Sequence, residues 1–196
     1  RDVSRKPLIK NINMNIRSGE IVGLWGLLGS GRTEVARAIY GLDEIDSGNI
    51  FIGSSEERTQ KREGIDSDVM GFVPENRKEE GLFLTLSVRE NITAASFKQI
   101  TNKSGFFIDK QLERSVCDEL VKKLNIVISG LDQDAQTLSG GNQQKQIVAR
   151  WLNVNPSLVI FDEPTRGLDI KAKADIHFLL DQITKEGQGI LLISSE

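Results

Sequence analysis

The stretch that most constrains this chain is Gly26-Leu27-Leu28-Gly29-Ser30-Gly31-Arg32-Thr33. It has the spacing G-x-x-x-x-G-K-[ST] of a phosphate-binding loop, with arginine in the lysine position. An apolar run, Ile21-Val22-Gly23-Leu24-Trp25, precedes it and is expected to form a buried strand. A helical pattern follows, with Val35, Ala36, Ile39 and Tyr40 on one face. In that context consecutive backbone N–H groups curl around a polyphosphate and the positive end of the helix dipole faces it. Gly26, Gly29, Ser30, Gly31, Arg32, Thr33 and the adjoining Glu34 are therefore candidate nucleotide contacts, the alternative being a plain strand-to-helix turn.

The 196 residues, 38% hydrophobic and 27% charged, suffice for one globular domain with an inserted unit. A net charge of −3 gives no sign of a nucleic-acid-binding surface. The single cysteine, Cys117, rules out an intramolecular disulfide and fits a reducing compartment. No apolar run approaches the roughly 20 residues of a membrane span, so a membrane would enter only through a partner. The sequence stops just after the strongly apolar Ile190-Leu191-Leu192-Ile193, and a piece of a longer polypeptide is expected.

Residues 1–20 alternate weakly (Leu8, Ile12, Met14, Ile16) and are expected to form an antiparallel edge sheet ending in the turn Arg17-Ser18-Gly19-Glu20. Gly41 offers a helix C-cap, Asn49 to Ile52 a short strand, and residues 54–68 a polar surface excursion. Val69 to Val73 reads as another buried strand, delivering Pro74-Glu75-Asn76-Arg77 to its end. From Leu82 to about Thr137 the pattern turns helical. Ser87 and Glu90 form a capping-box signature, Leu112, Val116, Leu120 and Leu124 recur every four residues, and Thr101 to Gly105 reads as a loop.

Leu138-Ser139-Gly140-Gly141 then opens a helix with Ile147, Val148, Trp151 and Leu152 on one face. Leu158 to Phe161 is a buried strand finishing in Asp162-Glu163-Pro164, and Asp169 caps a helix burying Ile176, Leu179, Leu180 and Ile183. Strands alternating with helices predict a mostly parallel sheet whose ligands sit at the carboxyl ends of the strands. The glycine loop, Glu75, Asp162-Glu163 and Ser194-Ser195 all fall there.

An apolar strand ending in Asp-Glu is what a site for nucleotide and Mg²⁺ requires. Asp162 can hold the ion through water beside the Thr33 hydroxyl, and Glu163 can polarise an attacking water. A pair that merely caps a helix is the alternative for Asp162-Glu163 taken alone. A third motif, Leu138-Ser139-Gly140-Gly141-Asn142-Gln143-Gln144-Lys145, resembles the signature sequence of ATP-binding-cassette (ABC) ATPases. Phe161 to Asp169 is similar to that family's Walker B and D-loop, and the resemblance runs from about Ile9 to Glu196. It implies a P-loop NTPase of the α/β class, with a parallel sheet flanked by helices, an N-terminal antiparallel β edge and an inserted helical subdomain. The implied division is one domain over 1–196, with core 1–81 and 138–196 around a subdomain 82–137.

The resemblance further implies ATP and Mg²⁺ as ligands, and two cassettes that sandwich two nucleotides head to tail. Ser139, Gly140 and Gly141 would meet the γ-phosphate on the partner cassette, with Asp169 among the nucleotide contacts. The N-Q-Q-K ending, the phrase Glu75-Asn76-Arg77-Lys78-Glu79-Glu80-Gly81-Leu82 and D-E-P-T-R-G-L-D resemble ATPases of ribose, galactose and nucleoside importers, in particular their second cassette. Transmembrane permease subunits would hold such a protein at the inner face of the cell membrane, with a substrate-binding protein involved only indirectly.

Three departures from the family pattern bear on chemistry. Arg32 replaces the loop lysine, Glu75 stands for the Q-loop glutamine, and Ser195 stands for the H-loop histidine. A guanidinium is bulkier than an ammonium, and each lost transition-state contact commonly costs on the order of 10²- to 10³-fold in rate. The site is therefore expected to hold ATP better than it cuts it. Rival expectations are a fully hydrolytic cassette, a cytosolic ABC protein acting on nucleic acid or ribosomes, and a scaffold that binds no nucleotide. The aromatic that stacks on adenine in the family is absent, Val3 being nearest. Trp25 and Trp151 are assigned to the core, His177 to packing or the surface, and Arg166 to either an interface or a surface charge.

Overall fold

The computed structural model describes residues 9–27, 29–53, 58–60, 69–102 and 107–195. Val3, Leu28, most of the 54–68 excursion and most of the loop expected over Thr101 to Gly105 lie outside those residues. A four-stranded parallel sheet has the order β1-β6-β5-β4, with β1 at Ile21–Trp25, β4 at Met70–Val73, β5 at Leu158–Asp162 and β6 at Gly189–Ser194. Helices cover its faces. α1 (Arg32–Tyr40) packs on β4, β5 and β6, α5 (Gly140–Val154) on β4, and α6 (Ile170–Lys185) on β6. Strands covered on both faces need no polar alternation, and every residue of β4 is buried.

At the far end of α1 from the glycine loop, Tyr40 stacks on Phe72 at 5.3 Å and meets Trp151 edge-on at 6.2 Å. The Trp151 indole N–H donates to the Phe72 carbonyl at 2.7 Å. A side chain at Gly71 would put its Cβ 2.9 Å from that indole ring, so the β4 backbone lies directly against it. The expected inward faces of α1, α5 and α6 are found, as are the Gly41 C-cap and the Asp169 N-cap.

Three local expectations change. β1 is an edge strand and its residues alternate between exposed and half-buried, leaving Trp25 77% exposed instead of in the core. Residues 9–20 carry no strand. Asn11, Asn13 and Asn15 are poor strand formers, and Asn11 adopts a left-handed φ of 55° that interrupts extension. The antiparallel pair among the described residues is instead β2 (Phe51–Gly53) with β3 (Arg58–Gln60).

The third change lies in the helical segment, which comprises α2 (Val88–Thr93), α3 (Phe97–Ile100) and α4 (Lys110–Lys123). The Ser87/Glu90 capping box is present. On α4, however, the buried face is Glu113, Cys117 and Leu120, and Leu112 is exposed. Leu120 and Leu124 are buried and Val116 packs against the core as the repeat predicts, while in the first turn Arg89 on α2 pairs with the buried Glu113 carboxylate at 2.7 Å, so that Glu113 and not Leu112 faces inward. Beyond Lys123 the expected helix gives way to turns and a 3₁₀ turn at Ala135–Thr137. Burial pushes the Cys117 thiol up to about 12, which suits a small core residue. His177 is exposed on α6. Among the described residues no helix is long and apolar enough to cross a membrane.

Candidate functional site

The strand order brings the carboxyl ends of β1, β6 and β5 side by side, and three chain segments meet there. The glycine loop leaves β1 and closes with a Ser30 N–H to Leu27 carbonyl bond of 3.1 Å. Gly29 and Gly31 take φ values of 80° and 90°, which a side chain would disfavour. Gly31 is the N-cap of α1 and has no side chain to fill the helix end, so the first amides of α1 are left to a ligand. A Cβ on Gly26 would lie 3.0 Å from Ser30 Oγ, which shows how tightly the loop is wound. Glu34 lies in the first turn of α1, where its charge acts on Arg37.

At the end of β5 the chain kinks. Glu163 has a left-handed φ of 46°, a conformation that a side-chain-bearing residue rarely takes and that clusters at functional sites. Its N–H still donates to the Ile193 carbonyl at 3.0 Å, so the kink stays tied to β6. The Glu163 carboxylate is buried and engaged on both oxygens. Arg32 Nη1 lies 3.3 Å from Oε1, and the Ser195 hydroxyl donates to Oε2 at 3.0 Å. The same Arg32 nitrogen donates to the Ser194 carbonyl at 2.6 Å.

Asp162, one residue earlier, is 1% exposed. Burial raises its carboxyl pKa, the Thr33 hydroxyl donating to it works the other way, and the Glu163 charge raises it further. Its Oδ1 is buried with no protein partner. Mg²⁺ keeps several waters and commonly takes one or two carboxylates with phosphate oxygens, so an orphaned carboxylate oxygen beside a hydroxyl fits that ion. Because the folded state binds the Asp162 proton more tightly than the unfolded chain does, this group makes stability rise as pH falls through the raised pKa. Above that pKa its buried charge is a cost. Asp162→Asn should therefore raise the melting temperature at pH 7.5, by about 2–4 °C for each kcal/mol relieved. The same variant should lose the Mg²⁺ dependence of nucleotide binding, checked by thermal denaturation and titration with and without the ion.

Glu75 and Ser139 to Gly141 are not gathered into this cluster. Glu75, at the end of β4, forms an ion pair with Arg166 in the turn after β5. Together with Asn76, Arg77 and Lys78 they line an open cleft of about 270 Å³. Ser139 is exposed, caps α5 through Asn142 N–H, and accepts from Asn142 Nδ2 at 3.1 Å. Asp169 is exposed and caps α6 through Ala172 N–H at 2.9 Å. Two residues without a sequence-based role turn out to be central. Arg77 reaches the signature start, and the buried Arg150 guanidinium ties α5 to Gly81 and Asn91. The only sequence signal for Arg77 was its place in the Glu75 to Leu82 phrase.

A glycine loop, an Asp-Glu strand end and a glycine-started helix thus occur in one parallel sheet. The family model for ABC transporters matches residues 9–166 of the sequence. The chain belongs to the ABC transporter family. This ABC chain is 43% identical over its full length to the ribose import ATP-binding protein of Bacillus licheniformis, and 40% identical to that of Bacillus subtilis. It is also 40% identical to a putative ribose/galactose/methyl galactoside import ATP-binding protein of Hahella chejuensis. It spans 38–39% of the length of these curated relatives. Among solved structures it resembles the ATP-binding cassette MJ0796, in a dimeric post-hydrolysis state bound to ADP and Pi. That match has a TM-score of 0.79 at 26% identity, over 96% of this chain and 80% of the other. The P-loop NTPase cassette fold, with its parallel sheet flanked by helices, is therefore that of the family.

Proposed function

We propose that this chain is one nucleotide-binding cassette of an ATPase that powers import of ribose or a related sugar. It binds ATP with Mg²⁺ in a site of its own that hydrolyses poorly, and supplies Ser139, Gly140 and Gly141 to the ATP held by a second cassette. Transmembrane permease subunits hold it at the inner face of the membrane, and the segment 82–137 is a helical subdomain set into the core. The likeness to ribose and ribose/galactose/methyl galactoside import ATP-binding proteins supports the sugar and the ATP, and the MJ0796 dimer bound to ADP and Pi supports the pairing of cassettes.

The observation that carries the poor-hydrolysis reading is the double engagement of Glu163 by Arg32 and Ser195. Both partners stand at positions where this chain departs from the family pattern. A carboxylate with both oxygens held in cis has few lone pairs left for a water and little freedom to turn toward one. ATP binding asks less. The amides of the glycine loop and the start of α1 hold the phosphates, and Thr33 and Asp162 would hold the ion. Bound there, Mg²⁺ would neutralise phosphate charge.

A fully hydrolytic cassette is the second reading, favoured by the alignment of Asp162 with Thr33. Titration with a fluorescent ATP analogue, with turnover followed in parallel, separates them. Saturable Mg²⁺-dependent binding is expected, with turnover no different in Glu163→Gln. Turnover that this variant abolishes would establish the second reading, and absence of saturable binding would defeat both.

A further inference from the structure

The phrase Glu75 to Leu82 has no part in the chemistry proposed above, yet the structure gives it a definite place. Residues Arg77–Gly81 form a single π-helical turn after β4 that is fastened to α5 at both ends. At the far end, Arg150 Nη1 donates to the Gly81 carbonyl at 2.9 Å. At the near end, the Arg77 guanidinium lies over the start of α5. Its Nη2 is 2.8 Å, and its Cζ 3.4 Å, from where a Cβ on Gly140 would sit. Its Nη1 donates to the Arg166 carbonyl at 3.2 Å, and its Nε is shut off from solvent with no partner. Arg166 in turn pairs with Glu75. Leu168 Cδ2 closes the same space, 3.5 Å from the Gly140 position. One guanidinium, carried by the turn after β4, therefore touches two other segments: the first residue of α5 and the turn that follows β5.

We propose that Arg77 is a positioning residue that sets the start of α5 against the turn after β5, and that Gly140 is glycine because the Arg77 guanidinium fills the space of its side chain. The consequence for hydrolysis in a partner cassette rests on the function proposed above; the placement does not. A methyl at residue 140 would meet the flexible end of Arg77, so the guanidinium would yield before the helix did, and its bond to Arg166 would be lost. Gly140→Ala and Arg77→Ala should then be the same lesion reached from two sides.

The test is a double-mutant cycle on the full chain, read by native-state hydrogen exchange at the Arg166 and Leu168 amides, which close the turn on the Glu163 and Thr165 carbonyls. Arg77→Ala should speed their exchange by about tenfold, the scale of one charged hydrogen bond. Gly140→Ala should do the same, and the double variant should be no faster than either single one. Arg77→Lys, which keeps a donor, should recover most of the protection. Exchange at Ile160 and Leu191 in the sheet should stay unchanged, which excludes general loosening. Multiplying effects in the double variant, or turn amides indifferent to Arg77→Ala, would overturn the proposal. A non-additive cycle in variants that leave turnover of the paired cassettes intact would uphold the placement and count instead against the role assigned to Ser139, Gly140 and Gly141.

Discussion

If the proposed function holds, replacing Ser139 by arginine in the paired cassettes should lower ATP turnover by about 10²- to 10³-fold, the usual cost of losing a preorganised contact to transferring phosphate. Glu163→Gln in the same assembly should change turnover by no more than about threefold, because on that proposal the site it belongs to contributes little rate to begin with. The contrast follows from geometry. Ser139 is exposed at the positive end of the 15-residue helix α5, free to meet an anion on another molecule. Glu163 faces inward between Arg32 and Ser195. Steady-state turnover of the two variants measures it, with nucleotide binding by this chain expected to survive Ser139→Arg. Equal losses in both variants would show that the two halves of the site work symmetrically.

The second large effect concerns stability. Arg150→Ala should destabilise the chain by about 3–5 kcal/mol, near the upper end for one substitution. That corresponds to a fall in melting temperature of roughly 6–20 °C. Arg150 is 9% exposed, and among the described residues it has no carboxylate partner. Its charge is carried by carbonyl oxygens: Nε donates to the Asn91 backbone at 2.8 Å, Nη1 to Gly81 at 2.9 Å and Nη2 to Asn91 Oδ1 at 3.0 Å. The Phe83 ring lies 5.5 Å from the guanidinium. Burial lowers its pKa to about 10, the mark of a charge held with little water around it. Alanine removes the donors and leaves the acceptors buried. Methionine should cost less than alanine, since it keeps the stem packing and no longer buries a charge. Thermal and urea denaturation would rank the three proteins, and an alanine variant as stable as the parent would show that the network contributes nothing net.

The parts of the site that could be read from the sequence are those whose geometry is local. The glycine loop, the Ser139 and Asp169 caps and the Asp162-Glu163 strand end each need particular residue types within a few positions, so spacing alone exposes them. What escaped depends on partners distant in the chain. Trp25 looks like core until the strand order places β1 at the edge of the sheet. Leu112 fits a four-residue repeat whose later members Leu120 and Leu124 are buried, but in the first turn of α4 Arg89 draws Glu113 inward instead, from 24 residues away. The contact of Arg77 with Gly140 joins segments on either side of helices α2 to α4, and no local pattern announces it. The asparagine-rich start differs for another reason: its weak apolar alternation suggests a strand, while the low strand propensity of its asparagines opposes one.

The edge position of β1 also has an optical consequence. The chain has two tryptophans. Trp151 is enclosed and hydrogen-bonded to Phe72, while Trp25 stands in solvent one residue ahead of the glycine loop. Their fluorescence should separate by colour and by collisional quenching, the blue component reporting on the core and the red one on the threshold of the phosphate cradle. The protein thus carries its own pair of reporters, so that arrival of a nucleotide and loss of the fold can be followed as different signals in one cuvette.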